Sequence, residues 1–461
     1  MSPRLLLSRL HSRLHSRPLS IPLVLLISLL LLPGLAPRAR SEAALEALLR
    51  GEGPTSALSG LQVSLMQNGE AAESFALGFA QLRPGGPVAL RRDHKVRVAS
   101  VSKLVVAIGV MQLVERGALA LDADVSEMLG FALRNPAFPG APITARQLLN
   151  HTSSLRDGGA YFIRAGTGTL RDFFGPGTAL WEDGAHFASG PGREPGAFFT
   201  YANLNFGVLG ALVERASGER FDQYMAGHVL APLDLAARFD PCAIPDGQRA
   251  AAFRKRVAGG AWNPAGPWVP QVDAGPPRCF YGMADVASPE AFLANYVPGS
   301  NPTLFSPQGG LRASADDLVA ILRLLAAGGE IDGRRILSED SVKAMLAPSW
   351  TLDAAGSNGL SSGEAEPGGP TDGLMTGYGL SVHRIDPRAW GLDAGPELLV
   401  GHLGEAYGVL SHALFDPASG DGVATIITGT ADDPAAAPPG TSPLYRVEEE
   451  VLRWWLRRRA R

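Results

Sequence analysis

Lysine is scarce in this chain, although basic residues are not. Of its 41 lysines and arginines only four are lysines, at positions 95, 103, 255 and 343. An arginine keeps its proton at every working pH, whereas a lysine moved into apolar surroundings can release it. Chemistry that needs an amine as a proton acceptor is therefore restricted to four positions, and Lys103 lies one helical turn after a serine.

Cysteine is almost absent, with only Cys242 and Cys279 in 461 residues. Two cysteines cannot build a structural zinc site, and the nine histidines show no metal-binding spacing, so we expect no metal and no cofactor. In an oxidising compartment the pair is expected to form a disulfide that closes a loop of about 37 residues and contributes roughly 3 to 4 kcal/mol. Two buried free thiols are the alternative.

Acidic residues are missing from residues 1–40, which carry six arginines and an apolar segment at 21–32. Twelve helical residues span roughly 18 Å, against about 30 Å for the hydrocarbon core of a bilayer. We interpret residues 1–40 as a signal peptide and expect a periplasmic or secreted bacterial protein. An uncleaved membrane anchor is the alternative, and membrane contact is expected only through this segment.

The chain also has no net positive charge, because acidic residues outnumber basic ones. Without the six arginines of residues 1–40, the formal charge of −4 becomes −10, which argues against nucleic acid as a partner. The arginines at 457, 458, 459 and 461 form the basic cluster of the remaining chain. A solvated helix end that complements the helix dipole explains them as well as a binding tail does.

Strand patterns occur near both ends of the chain, and the middle is rich in helix signals. The predicted strands are 61–66 and 74–79, joined by a turn at Asn68-Gly69, and 378–383, 398–400, 409–415 and 423–428. Predicted helices include an apolar one over 104–114, one capped by Thr144 and Gln147, one capped by Ser314 and Asp317, and a last one over 444–456. This order predicts an α/β fold with a mostly helical insertion. Within 41–461 the α/β part covers about 50–120 and 305–461, the helical part covers about 121–304, and 353–374 form a flexible loop.

Ser100-Val101-Ser102-Lys103 is the first candidate for chemistry. Side chains on a helix lean toward its N-terminus, so the Lys103 amine reaches back over Ser100 and can take its proton. Burial and the positive helix end are expected to lower the pKa of Lys103. The alternative is that Ser100 caps the helix and Lys103 extends to solvent.

Two later segments offer polar groups of the same kind. In Tyr201-Ala202-Asn203, residues two apart in an extended segment face the same side, so both side chains can enter one cleft. In His402-Leu403-Gly404, the glycine permits close approach of a substrate to the backbone. Read alone, Tyr201 is a core aromatic and His402 an ordinary loop histidine.

Taken in order, these three segments and Ile143 to Leu155 resemble the serine β-lactamase and penicillin-binding protein superfamily. They are most similar to its class C branch, which includes esterases and D-peptidases. The resemblance implies a β-lactamase/transpeptidase-like fold, an antiparallel sheet flanked by helices. True class C β-lactamases carry lysine where this chain has His402, whereas the family's peptidases and esterases often have histidine there. The resemblance therefore favours an esterase or D-peptidase over a β-lactamase.

The resemblance also implies a role for each site residue. Ser100 is the nucleophile, Lys103 and Tyr201 transfer protons, and the backbone amides of Ser100 and Glu405 form the oxyanion hole. The remaining residues expected to bind or orient the substrate are Asn203, His402 and Gly404. The expected activity is hydrolysis of an ester or a D-amino-acid peptide through an acyl-enzyme, on a small-molecule or peptidoglycan-derived substrate.

Three other interpretations remain open from the residues. Hydrolysis of β-lactams is the first, and a catalytically weak protein that binds peptidoglycan or a peptide is the second. The third is a nucleophile elbow at Gly359 to Gly363, which has the spacing G-x-S-x-G. That motif requires a strand before the serine and a helix after it, but here both flanks have the composition of a loop.

Overall fold

The computed structural model describes residues 35–257, 260–275, 281–283, 286–363, 371–392, 394–436 and 440–459. The chain divides into two units, residues 1–44 and 45–461. The predicted apolar segment 21–32 and Cys279 lie outside the described residues. Cys242 is disulfide-bonded, and its pairing with Cys279 stays a prediction.

Helices and strands alternate irregularly along the chain. The helices are α1 (Leu35–Arg50), α2 (Ser102–Glu115), α3 (Val125–Leu129), α4 (Ala145–Leu149), α5 (Leu170–Phe173), α6 (Leu204–Ser217), α7 (Phe221–Tyr224), α8 (Pro289–Ala294), α9 (Ala315–Ala326), α10 (Glu339–Leu346) and α11 (Arg446–Arg459). The strands are β1 (Leu58–Gln67), β2 (Glu70–Arg83), β3 (Gly86–Ala89), β4 (Val96–Arg97), β5 (Ala252–Lys255), β6 (Trp268–Val272), β7 (Arg312–Ala313), β8 (Glu330–Ile331), β9 (Arg334–Arg335), β10 (Trp350–Thr351), β11 (Gly377–Tyr378), β12 (His383–Ile385), β13 (Leu399–Ala406), β14 (Val409–Phe415) and β15 (Gly422–Thr430).

Within the described residues, one large sheet has nine strands in the order β10-β11-β12-β13-β14-β15-β1-β2-β3. Every pair of neighbours in it is antiparallel. The last strand, β15, pairs with the first, β1, so strands that are far apart in sequence are neighbours in the middle of the sheet. Asn68 and Gly69 form the two-residue turn between β1 and β2, both with positive φ, as expected for an Asn-Gly hairpin.

Helices cover both faces of this sheet, which confirms the predicted fold class. On one face, alternate residues of β1 such as Leu61 and Val63 pack with Val451 and Trp454 of α11. On the other face, Ile426 of β15 belongs to the same core as apolar residues of α2, α6 and α9. The alternation follows from the two-residue period of a strand, which sends successive side chains to opposite faces.

The predicted helices are present, and their caps are those indicated by the sequence. Thr144 and Gln147 form a capping box at α4, and Ser314 with Asp317 does so at α9. Helix α2 is buried from Ser102 to Leu113, because its apolar residues continue round the whole circumference and all of its faces meet other elements. Among the helices that the structure describes, none is long and apolar enough to cross a membrane.

Residues 378–383 do not form the single strand that the alternation predicts. The chain reverses between β11 and β12, with Ser381 at φ 60°. The amides of Leu380 and Ser381 donate to the carbonyls of Met345 and Leu149 instead of to a neighbouring strand. The sequence patterns also do not predict the hairpin formed by β5 and β6. The reversal brings His383 onto the sheet opposite Gly401.

Candidate active site

Ser100 lies in a short 3₁₀ turn, Ala99–Val101, between strand β4 and helix α2. Ala99 has φ 46°, a left-handed conformation that is unfavourable for a residue with a Cβ. The chain therefore bends sharply just before the serine. Helix α2 begins at Ser102, so Ser100 precedes the N-terminus of a 14-residue buried helix.

Lys103 is fully buried, so it does not extend to solvent. Its Nζ donates to Ser100 Oγ at 2.8 Å, to Asn203 Oδ1 at 2.8 Å and to the carbonyl oxygen of Gln308 at 2.9 Å. These three acceptors match the three N–H groups of an ammonium. The one-turn spacing predicted from the sequence thus places the amine in direct contact with the serine hydroxyl.

Asn203 is held by Asp157, a residue that sequence reasoning missed. Asn203 Nδ2 donates to Asp157 Oδ2 at 2.8 Å, and the amide of Leu204 donates to Asp157 Oδ1 at 2.8 Å. Burial raises the pKa of Asp157, and the two hydrogen bonds and the charge of Lys103 oppose that rise. Because its amide N–H is committed to Asp157, Asn203 presents its oxygen to Lys103.

Tyr201 stands over Lys103, with the lysine Nζ 4.7 Å from the centre of the phenol ring. His151 holds the Tyr201-Ala202 segment in place. Its ring stacks on that of Tyr201 at 4.3 Å, and its Nδ1 accepts a hydrogen bond from the amide of Ala202 at 3.1 Å. The amide of Tyr201 also donates to the carbonyl of Gly363 at 3.2 Å. The phenol is therefore held in one position beside the lysine.

The loop predicted at 353–374 contributes to this wall of the site. Its residues 364–370 lie outside the described residues, and the part before them is tied to the segment leading to Tyr201 by a bond from the Phe199 amide to the Asn358 carbonyl at 2.9 Å. Ser361 and the two residues after it form a turn, and Ser361 Oγ donates to Asp372 at 3.0 Å. A nucleophile elbow needs a helix directly after the serine, so this segment does not have that geometry.

Gly404 brings strand β13 against the turn that carries Ser100. A Cβ at this position would lie 2.9 Å from Ser100 N and 2.8 Å from the Val98 carbonyl oxygen. No side chain fits that gap, so glycine is required for the close approach. The next residue, Glu405, is on the same strand, and its backbone is thereby placed near the backbone of Ser100.

His402 lies behind the cleft rather than in it. Its side chain is fully buried, Nδ1 donates to the Leu403 carbonyl at 2.6 Å, and Nε2 accepts the hydroxyl of Tyr378 at 2.9 Å. Burial, followed by the charges of His383 and Lys103, holds the pKa of His402 well below its usual range. The imidazole is therefore neutral, and we assign it to the support of β13 instead of to contact with substrate.

His383, and not His402, is the histidine whose side chain lines the cleft. Its ring lies 4.5 Å from that of His402. Burial and the nearby Lys103 charge lower the pKa of His383 to about 3, so it too is neutral. The turn between β11 and β12, which the sequence pattern does not reveal, puts it there.

The groups around Ser100 open into a single cleft of about 440 Å³. Its lining includes five of the predicted residues, namely Ser100, Tyr201, Asn203, Gly404 and Glu405, together with Gln308. A serine hydroxyl, a buried amine and a phenol meet at its base, which is the set needed for nucleophilic attack on a carbonyl carbon. In the part of the chain that the structure describes, no cluster of histidine, cysteine and carboxylate side chains could hold a metal ion.

A family comparison agrees with this geometry. The family described as Beta-lactamase matches residues 45–441. The chain belongs to the beta-lactamase family. Thus the resemblance inferred from the Ser100, Tyr201 and His402 segments is confirmed at the level of the family.

Members with different activities are among the relatives of this family member. Esterase EstB of Burkholderia gladioli is 34% identical over 43% of this chain and 50% of its own length. The D-alanyl-D-alanine-carboxypeptidase/endopeptidase AmpH of Escherichia coli K12 is 28% identical over 34% of this chain and 40% of its own. The matched region thus spans half or less of these two relatives.

Solved structures extend the likeness to nearly the whole fold. The D-amino acid amidase from Ochrobactrum anthropi SV3, complexed with D-phenylalanine, has a TM-score of 0.59 at 18% identity and covers 92% of this chain and 99% of that one. The penicillin-binding protein from Bacillus halodurans has a TM-score of 0.56 at 20% identity, over 89% and 98%. At such low identity the likeness is one of fold.

Replacing Gly404 by alanine is expected to reduce kcat about 100-fold, the scale of losing one oxyanion-hole donor. The new methyl group would push β13 away from the Val98 carbonyl and Ser100 N, and so displace the Glu405 amide. The matched control is Gly85→Ala, because a Cβ there meets nothing within 4 Å. Steady-state kinetics on both variants checks this; equal activity of Gly404→Ala and wild type would show that the gap is not functional.

Proposed function

We propose that this protein is an exported serine hydrolase that forms an acyl-enzyme on Ser100 and hydrolyses an ester or a D-amino-acid peptide. The observation that carries the proposal is the 2.8 Å hydrogen bond between Lys103 Nζ and Ser100 Oγ at the base of an open cleft. Export is inferred from the basic and apolar composition of residues 1–40. The esterase and carboxypeptidase relatives support the two substrate classes.

For acylation, the Lys103 ammonium first releases one of its three protons to solvent. Ser100 Oγ then attacks the substrate carbonyl carbon while the resulting Lys103 amine accepts the serine proton. The negative charge that develops on the carbonyl oxygen is bound by the amides of Ser100 and Glu405. Tyr201, next to Lys103, relays a proton to the leaving alcohol or amine as the bond to the acyl carbon breaks. Water then attacks the acyl-enzyme and releases the acid and Ser100.

The histidine pair disfavours β-lactams as the main substrate. His383 and His402 are both neutral, so the strand-side wall of the cleft provides no cation where class C β-lactamases have a lysine. A lactam carboxylate bound at this wall would lack that charge, since Arg97 lies on strand β4 and not on this wall. Lactam hydrolysis is therefore expected to be slow compared with hydrolysis of an ester or peptide.

The test is an assay of the purified full chain against a nitrophenyl ester, a D-Ala-D-Ala peptide and a chromogenic cephalosporin. The expected result is turnover of the ester or the peptide with kcat/KM at least about tenfold above that for the cephalosporin, corresponding to the loss of one charged contact. Failure to turn over any of the three would contradict the proposal and favour a binding protein. Faster turnover of the cephalosporin would assign it as a β-lactamase.

Removing only the hydroxyl of Tyr201 tests the relay. Tyr201→Phe keeps the ring that stacks on His151 and lies over Lys103, so the fold is expected to be unchanged while kcat falls about 100-fold. Tyr224→Phe is the matched control, since Tyr224 is also buried and lies outside the cleft lining. Thermal midpoints and kcat are measured for both. A kcat that falls equally in the two variants would contradict the assignment.

A further inference from the structure

Arg97 lies on strand β4, three residues before Ser100, and lines the same cleft. It is directly opposite Arg312 in the two-stranded pairing of β4 with β7. Two like charges facing each other across a strand pair destabilise it unless they are neutralised. Both arginines are buried, with only 6% of Arg97 exposed.

Among the residues that the structure describes, Arg312 has a carboxylate partner and Arg97 forms no ion pair. Arg312 Nε and Nη2 donate to the two oxygens of Asp273 at 3.0 and 2.9 Å, and both side chains are 6% exposed. That carboxylate is fully engaged by the bidentate contact. Asp273 therefore forms its ion pair with Arg312 and acts on Arg97 only through its nearby charge.

The guanidinium of Arg97 has an aromatic neighbour instead of an acidic one. Its centre is 4.9 Å from the ring of Tyr407, and its buried Nε has no hydrogen-bond partner. Burial and the charge of Arg312 lower the pKa of Arg97 to about 10, which still leaves it charged at neutral pH. A buried cation with an unsatisfied N–H and no ion pair among the described residues is costly, and an anionic ligand would lower that cost.

Arg97 is the second cation near Ser100, because the three N–H groups of Lys103 are already donated to Ser100, Asn203 and Gln308. Among the described lining residues, Arg97 is the one arginine or lysine, while Glu405 and Glu448 are acidic. Burial and the charge of Glu405 raise the pKa of Glu448 well above its usual range. A raised pKa favours the protonated, neutral Glu448 carboxyl, so this group does not repel an anionic substrate group bound at Arg97.

We propose that Arg97 is a specificity-determining residue that binds a carboxylate on the substrate while Ser100 attacks the scissile carbonyl. This inference rests on the proposed hydrolase function and narrows its substrates to esters or D-amino-acid peptides that carry a carboxylate. The carboxylate is either on the acyl group or on the leaving group, and the two cases call for different probes.

The test compares two substrate pairs, each of which sets a carboxylate against a neutral group at the same position. For the acyl side these are mono-4-nitrophenyl glutarate and 4-nitrophenyl pentanoate, each corrected for spontaneous hydrolysis. For the leaving side they are acetyl-D-Ala-D-Ala and its C-terminal amide. In at least one pair, wild type is expected to prefer the charged member by about 10- to 100-fold in kcat/KM, the range for a hydrogen bond to a charged group.

Three variants assign that preference to a residue. Arg97→Gln is expected to abolish the charged-to-neutral ratio, chiefly through KM, and Arg97→Lys to retain part of it. Arg92→Gln is the matched control, because Arg92 is exposed and pairs with Asp316 outside the cleft; its ratio is expected to equal that of wild type. If Arg97→Gln does not fold, Arg97→Lys and competitive inhibition of wild type by glutarate against glutaramide provide the same comparison.

Several outcomes would overturn the inference. They are a wild type without charge preference in either pair, an Arg97→Gln variant that keeps the ratio, and equal losses on both members of a pair. If any of these results is found while turnover still requires Ser100, the inference about Arg97 is wrong but the hydrolase proposal is not contradicted. Absence of turnover on every substrate overturns the hydrolase proposal, and calorimetric binding of glutarate to wild type and Arg97→Gln then decides the subsite on its own.

Discussion

Replacing Ser100 by alanine is expected to lower kcat/KM for the best substrate by about 10⁴-fold or more. In the proposed mechanism Ser100 Oγ attacks the carbonyl, so the alanine variant forms no acyl-enzyme and keeps only the proposed oxyanion-hole donors and binding contacts. Ser100 is partly exposed at the cleft, and the loss of one hydroxyl there leaves the packing unchanged. The measurement is kcat/KM of the variant with its thermal midpoint beside wild type.

Ser361→Ala is the matched control for this loss. Ser361 is the serine of the competing G-x-S-x-G spacing, and its hydroxyl is bonded to Asp372 at a turn. We expect wild-type kinetics from this variant. Should Ser361→Ala be the inactive protein and Ser100→Ala the active one, the nucleophile assigned here would be wrong.

The second large effect is expected at Lys103. Lys103→Arg keeps the positive charge but removes the ability to accept a proton, since a guanidinium stays protonated. Lys103→Met removes the amine altogether. Both variants are expected to lose about 10³-fold in kcat, within the range for general base catalysis. A change in charge alone would spare Lys103→Arg, so the pair of variants separates proton transfer from electrostatics.

Lys95 offers a control with the same burial. It is 5% exposed, but its Nζ contacts the Asp317 carboxylate and Ser314 instead of a nucleophile. Lys95→Arg is therefore expected to alter the thermal midpoint and to leave kcat near wild type. If Lys95→Arg and Lys103→Arg lost activity equally, burial rather than position beside Ser100 would explain the result.

Local spacing accounts for the part of the site that the sequence predicts well. Ser100 and Lys103 are one helical turn apart, so helix geometry alone brings their side chains together. Tyr201 and Asn203 share a short segment, and the close approach of Gly404 follows from the missing Cβ. Each of these relations is decided by a few neighbouring residues, which a motif can record.

Relations between distant segments were not predictable in this way. Asp157 reaches Asn203 across 46 residues of sequence, and it belongs to no motif. The sequence predicts that His402 binds or orients the substrate, but the sheet turns its side chain toward Tyr378. The reversal after β11 brings His383 to the cleft instead. The environment of Arg97 depends on Arg312 and Asp273, which are distant in sequence and lie beside it only in the folded protein. Tertiary contacts set all three, and no local pattern encodes them.

Mass spectrometry tests most directly whether Ser100 is the residue that becomes acylated. The protein is quenched with acid during turnover of 4-nitrophenyl acetate. Trypsin cuts after Arg97 and Lys103, so the peptide of residues 98–103 isolates Ser100 with Ser102. We expect the added mass of one acetyl group, and fragmentation that places it on Ser100. An unmodified 98–103 peptide during active turnover, or an acetyl group on Ser102 or on a residue outside this peptide, would contradict the account.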